Sequence, residues 1–455
     1  MVLLKKTRQR VIDMTQGPIL SNLLLFSVPM MLSGVLQLLF NAADISIAGQ
    51  YIGDHEMGAI GATGTLINLL INLFVGLSVG VTVLLGQAYG SGQQQTVNRV
   101  VHTSVVLAAI WGAAVSAISF FGAELLLGLM KVPREMLSMA VRYLRIYACG
   151  MIGSSLYNFG SAVLRATGDS KRPLYCLAVS SGLNFGLNQL FVRVFHMGLE
   201  GVAWSTAISL WVMGLLTLAC MAKNKGQAQL SLRNLRLHGK TLKKILGLGI
   251  PAGLQGIFFP LSNIVLQTYI NAFGPIVIAA NSAACNVESF VYQALIGFYH
   301  GCLAFVSCNA GAHNWKRVKE VFVKSLIAVA VTGVVLGVGM VIFGKPLLGI
   351  YTGNPAIVEQ GLMRFFFTGL PYFLCGMMEV VVGALRGLGS SVRPMIVSVL
   401  GVCGVRILCA LIVEPFHRVE LLYLSYPLSW LVTLIAQSVL LLLLAKAIRK
   451  KERLQ

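Results

Sequence analysis

The sequence predicts an all-α membrane protein: twelve transmembrane helices in two parallel six-helix lobes related by pseudo-two-fold symmetry. Three observations predict it. Of the 455 residues, 56% are hydrophobic and 11% charged. With a mean hydropathy of +0.80, the apolar surface exceeds what a soluble core can hide. Stretches long enough to cross a bilayer need about 20 apolar residues. Twelve occur, at 21–48, 59–86, 100–127, 138–163, 174–195, 201–222, 247–272, 276–309, 321–344, 357–384, 395–414 and 421–445. The chain also repeats at an offset of 221 residues, where LRATGDSKRP (164–173) returns as LRGLGSSVRP (385–394). Gly76, Gly80, Gly90 and Val97 recur as Gly297, Gly301, Gly311 and Val318 at the same offset. A period this long is a duplicated half, not a solenoid unit. Six spans per half is an even number, so both halves enter from the same side and the repeat is parallel. Duplicated halves in a membrane enclose a substrate path, which points to a transporter.

Orientation follows from the basic residues. The amino terminus, the loops joining even to odd spans and the carboxyl tail carry 26 Lys and Arg, against 9 on the other side. The positive-inside rule makes the first set cytoplasmic, termini included. The net charge of +20 is this topological bias rather than a nucleic-acid surface. The predicted organisation is a cytoplasmic segment (1–20), an N-lobe (21–222), a cytoplasmic linker (223–246), a C-lobe (247–445) and a basic cytoplasmic tail (446–455). The first apolar span follows Lys5, Lys6, Arg8 and Arg10, but it is too long for a signal-peptide core and holds Asp44. Nine cysteines form no CxxC and read as small packing residues. No phosphate-binding Gly-rich loop, HExxH or nucleophile elbow is present, so neither an enzyme nor a cofactor is expected. A channel is the remaining class, disfavoured by duplication into two lobes.

Most of the fifteen acids lie in loops or at helix ends; Asp44, Glu288 and Glu379 fall within spans. A charge at mid-bilayer costs about 2.5–3.5 kcal/mol on insertion scales, so it faces a cavity or a partner. Such a carboxylate can carry a proton or bind a metal cation, or serve as half of a structural ion pair; Glu379 is within reach of Arg386 in sequence. Ser33, Gln37, Asn41 and Asp44 follow helical spacing and make one polar stripe, as do Asn68 and Asn72 on the next span. Asn281, Glu288 and Tyr292 share a face of span eight. A carboxylate beside an aromatic ring suits an organic cation; the alternative is a hydroxyl satisfying the acid. Gln37, Asn41, Asn68, Glu288, Tyr292 and Glu379 are therefore candidate cavity residues. Pro29 and Pro251 occupy matching places in the two halves and are candidate helix kinks.

The segments MTQGPILSNLLLFSVPMML, FNAADISIAGQYIG, LRATGDSKRP and GLNFGLNQLF, in this order and spacing, resemble bacterial members of the multidrug and toxic compound extrusion (MATE) family over the whole chain. The resemblance implies a V-shaped pair of lobes exporting organic cations and other amphipathic compounds in exchange for sodium ions or protons. It ties the coupling ion to Asp44, as a sodium ligand or proton carrier, and places Asn184, Asn188 and Thr206 beside it. Many relatives have Asp where this chain has Asn188, so Asp44 is the sole acid of that site. Some relatives carry an acid midway along span seven; this chain has Ser262, Asn263 and Gln267 there. A monomer in a bacterial plasma membrane is implied. Two rival folds match the sequence less well. The major facilitator superfamily has an acid- and arginine-rich loop after span two, which YGSGQQQTVNRV lacks. Flippases for lipid-linked substrates have a strongly basic cavity, whereas the basic residues here are assigned to loops.

Overall fold

A computed structural model describes residues 11–224, 226 and 228–452. Lys5, Lys6, Arg8, Arg10, Lys225 and Arg453, all part of the charge asymmetry, lie outside the described residues. One lobe holds α1 (Ile19–Tyr51), α2 (Asp54–Gly90), α3 (Gln94–Phe121), the short α4 (Ala123–Leu129), α5 (Arg134–Ala166), α6 (Lys171–Asn188) and α7 (Gly198–Ala222). The other holds α8 (Gly239–Asn271), α9 (Pro275–Gly311), α10 (Trp315–Ile342), the short α11 (Gly344–Gly349), α12 (Pro355–Arg364), α13 (Tyr372–Gly387), α14 (Val392–Ser398), α15 (Val405–Val413) and α16 (Val419–Glu452).

By length, these supply twelve crossings among the described residues. Among the described residues nine helices are long and apolar enough to span, with α14 and α15 forming one of them, and α12–α13, bent by 42°, adds a tenth. The other two are α5 and α6, the latter extended by a π-helical turn over Gln189–Val194; polar and basic residues dilute their hydropathy. The third span is shorter than its apolar run. Gly122 ends α3 and α4 turns off as a separate helix, a break that leaves hydropathy unchanged and so is silent in sequence. Ile118, Phe121, Val335, Leu411 and Leu442 are exposed. An outer surface this apolar is at home in lipid, and helices satisfy their own backbone there.

Duplication is visible in the turns. Both copies of the repeated motif end a helix with a left-handed glycine, Gly168 (φ 88°) and Gly389 (φ 86°). The Asp169 N–H donates to the Leu164 carbonyl at 2.9 Å, and Ser390 to Leu385 at 3.0 Å. A side chain at these φ values is strained, which is why the repeat keeps glycine. The turn fixes Arg165 and Arg386 at equivalent places on α5 and α13.

The lobes meet along α1, α2, α8 and α9, in the halves nearest both termini. Small residues allow the contact. At Gly76 and Gly253 the backbones of α2 and α8 touch; Gly90 lies on the Cys308 carbonyl, and Gly311 on Gln87. Pro29 and Pro251 lie inside α1 and α8, which run through them, and both sit beside this seam. A strap of residues 12–17 spans it. The Ile12 N–H donates to the Gly168 carbonyl at 3.2 Å in one lobe. On the other, Asn309 donates to the Met14 carbonyl at 2.9 Å, and Arg317 to the Met14, Gln16 and Gly17 carbonyls at 3.2, 2.7 and 3.0 Å. Toward the opposite end Gln37, Asn41 and Asn68 are exposed, so the space between the lobes opens there. The linker is clamped to α3: His102 accepts from the Ser231 N–H at 3.1 Å and bonds the Asn98 carbonyl at 2.8 Å.

Gly90→Val puts a branched side chain into the Cys308 carbonyl and forces the lobes apart at the terminal end. Cys308, 1% exposed, is expected to become alkylated by a membrane-permeant maleimide, read by peptide mass mapping, while wild type stays protected. Equal protection in the variant contradicts the seam as a closed gate.

Candidate functional site

Two of the three buried membrane acids, Asp44 and Glu288, show opposite chemistry. Asp44, on α1, is 5% exposed and held by neutral groups alone. Asn188 Nδ2 donates to its Oδ1 at 2.6 Å, and Thr206 Oγ1 to its Oδ2 at 2.9 Å. Asn188 also donates to Asn184 Oδ1, and Asn184 to Thr206 Oγ1, both at 3.2 Å. Ser205, a residue without a signal of its own in the sequence, donates to Asn188 Oδ1. All four neighbours are buried, and among the described residues no Lys, Arg or His pairs with Asp44. The structure thus joins Asp44, Asn184, Asn188 and Thr206 from α1, α6 and α7 in one cluster. The π-helical turn beginning at Gln189 follows Asn188 directly; such turns gather where side chains are re-aimed at a site.

Thr206 has one hydroxyl proton and two acceptors, Asp44 Oδ2 and the Val202 carbonyl, each at 2.9 Å. When the carboxylate is charged and empty, the proton serves it. Were Asp44 to gain a proton or a cation, the hydroxyl would turn to Val202 and present its lone pairs inward. A proton would need no other rearrangement, and a sodium ion could take the Asp44 carboxylate with the amide oxygen of Asn184 or Asn188 as ligands.

Glu288, on α9, already has its cation. Arg364 gives Nε to Oε1 at 2.9 Å and Nη2 to Oε2 at 2.7 Å, and Thr368 donates to Oε1 at 2.6 Å. Arg364 also bonds Asn281 and lies over the rings of Tyr423 and Tyr426, at 5.3 and 5.1 Å. The expectation of a free carboxylate awaiting an organic cation therefore fails at Glu288, whose charge is met by an internal guanidinium, while Tyr292, the ring expected beside it, borders the cavities with no cation over it among the described residues. Arg406 sits nearby, over Tyr426 at 4.4 Å, donating to Ser429 and Asn263 at 3.0 Å each.

Two cavities lie beyond these clusters. One, of about 370 Å³, runs between the lobes and is lined by Ser33, Gln37, Asn41 and Asn68, with Arg165, Arg386, His300, Tyr292 and Glu379 deeper in. Of the polar stripe on α1, Asp44 alone leaves this wall and turns into its own lobe. The other, of about 430 Å³, lies in the C-lobe, where Glu288, Arg364 and Arg406 line it with Tyr426 and Trp430. Tyr292, Asn72 and Glu379 border both. The anticipated Glu379–Arg386 pair does not form, since Arg386 gives its protons to Tyr299 at 2.7 Å and Gln255 at 2.9 Å. The assignment of basic residues to loops is also corrected: Arg165, Arg364, Arg386 and Arg406 all line cavities. Arg364 and Arg406 stand inside apolar spans, a signal as plain as that of the acids.

Two lobes around a shared cavity, sealed at one end and open at the other, define a membrane transporter. The MatE family profile matches the chain twice, over residues 29–190 and 251–412, and the chain belongs to the MATE family. That excludes the major-facilitator alternative. The probable multidrug resistance protein YpnP of Bacillus subtilis (strain 168) is 30% identical, over 85% of this chain and 87% of that one. The probable multidrug resistance protein NorM of Thermotoga maritima is 25% identical, over 88% and 87%. A solved outward-facing MATE transporter shares the fold with a TM-score of 0.90 at 18% identity, covering 97% of this chain and 99% of that one.

Proposed function

We propose that this chain is a cation-coupled multidrug exporter of a bacterial plasma membrane, with cytoplasmic termini, in which Asp44 takes up the driving sodium ion or proton. The observation that carries the reading is the contrast between the two acids. A buried, isolated carboxylate is costly unless neutralised; Glu288 is neutralised by Arg364, and Asp44 has only amides and hydroxyls. Asp44 therefore takes its counter-charge from outside the protein, with Asn184, Asn188 and Thr206 completing the site. Under this topology the closed seam faces the cytoplasm and the cavity opens outward, the state in which a driving ion enters and an exported compound leaves. Pro29 and Pro251, beside the seam, are placed to bend α1 and α8 as the lobes rock.

The exported compounds are amphipathic organic molecules, matching a cavity with apolar, aromatic and polar walls. A tenfold gradient of one ion supplies about 1.4 kcal/mol, enough for a tenfold gradient of drug at one-for-one exchange. A flippase for a lipid-linked substrate is the second reading, favoured by the arginines on the cavity wall.

The test is uphill flux in proteoliposomes loaded with fluorescent amphiphiles of either charge. An imposed sodium or pH gradient is expected to drive release, and collapsing it to stop release. Flux indifferent to both gradients contradicts ion coupling.

A further inference from the structure

We propose that the interlobe cavity binds the anionic head of an amphipathic substrate, a carboxylate, sulfonate or phosphate, on Arg165 and Arg386. This deepens the exporter reading by naming a substrate class, and it runs against the organic cations expected from sequence.

The arginines are the two copies of one position in the duplicated motif, each set one turn before a left-handed glycine. One comes from each lobe, and both line the same cavity. Among the described residues, no group accepts a hydrogen bond from Arg165, and its Nε is buried without a partner. Arg386 is 5% exposed; its Nε is likewise buried and unpartnered, and its Nη atoms reach only the neutral Tyr299 and Gln255. Neither forms an ion pair. Arg364 is the contrast, spending all three nitrogens on Glu288 and Asn281, whereas Arg406 in the C-lobe cavity, like Arg386, has the neutral partners Ser429 and Asn263. The other titratable side chains on this wall are Glu379, the one acid lining it, His300, and the tyrosines Tyr157, Tyr292 and Tyr299. Taking both cavities together, four arginines face two glutamates, Glu288 and Glu379. Arg386 is buried and Arg165 partly so, and Glu379 on the same wall forms an ion pair with neither. Burying a guanidinium with no paired counter-charge is costly, and an incoming anion relieves that cost through charge-assisted hydrogen bonds that a cationic head cannot make. Apolar and aromatic lining from Ile71, Val75, Phe259 and Ile296 receives the rest of the molecule.

The test is equilibrium binding to the purified full-length protein with no ion gradient, so a failure of ion coupling leaves its result intact. The probes are 5-carboxyfluorescein and dansylglycine as anions and ethidium as cation, followed by fluorescence anisotropy. Saturable binding of an anionic probe is expected, weakening with salt. Arg165→Gln should lower that affinity about tenfold or more, Arg165→Lys should retain part of it, and ethidium affinity should not fall. Thermal unfolding of each variant checks that the fold persists, and Arg386→Gln repeats the test from the other lobe. If neither anion binds saturably, or if a folded Arg165→Gln binds them as wild type does, the proposal is wrong.

Discussion

Asp44→Asn is expected to reduce gradient-driven export to the level of empty liposomes while the protein remains folded. Asn has the shape of Asp without its charge. The amide oxygen can still accept from Asn188 or Thr206, and the surrounding hydroxyls and amides re-pair at little cost. Removing an uncompensated buried charge relieves a desolvation penalty, so the unfolding temperature is expected to hold or rise. What disappears is the only group in the cluster able to take up a proton or neutralise a cation. Conformational change needs a ligand that binds one state better than the other, and the variant has no such ligand at this site. A variant that still exchanges with a gradient dependence like that of wild type places coupling elsewhere, with Glu379 as the next acid to test.

Arg364→Ala is expected to damage the fold severely, where Asp44→Asn leaves it intact. Its guanidinium neutralises Glu288, fixes Asn281 and stacks on two tyrosines. Removing one partner of a buried pair leaves the other charge uncompensated, a loss of about 3–5 kcal/mol. Thermal unfolding in detergent should therefore fall markedly, with low yield of folded protein. Removing both charges tells structure from coupling. Glu288→Met combined with Arg364→Met should recover most of the stability, because a hydrophobic replacement of a buried pair is often neutral or favourable. The double variant should still transport, since Glu288 serves architecture rather than ion exchange. Loss of coupled flux in a stable double variant contradicts that role.

Much of this was legible in the sequence because membranes constrain it strongly. Apolar runs gave the spans, and the repeat gave the lobes and their parallel sense. Asp44 stood out because an acid is expensive in an apolar helix, and its neighbours Asn184, Asn188 and Thr206 came through the family resemblance. Ser205 carried no signal, being a small polar residue in a helix that tolerates many. The larger gap concerned arginine. Arg364 and Arg406 satisfy the same criterion as the acids, yet in a count of charge by loop basic residues serve only as topological markers. Without them Glu288 looks free, and the sequence points to a cation site where an internal pair stands. Arg165 and Arg386 sit near span ends, where sequence cannot tell a headgroup-facing side chain from one turned into a cavity. The Gly122 break was invisible for a related reason: hydropathy reports burial in lipid, not the direction of the chain.

On the proposed function, the ion at Asp44 sets the position of the lobes. This is tested most directly by the distance between spin labels at Gln50→Cys on α1 and Asn271→Cys on α8, both exposed at the open end, with the exposed Cys149 replaced by Ser. In wild type the distance distribution is expected to shift as sodium is added or pH lowered, whichever ion drives transport. In Asp44→Asn it is expected to stay fixed under both. An equal shift in the two proteins would contradict the account, because the ion would then be acting on the lobes without Asp44.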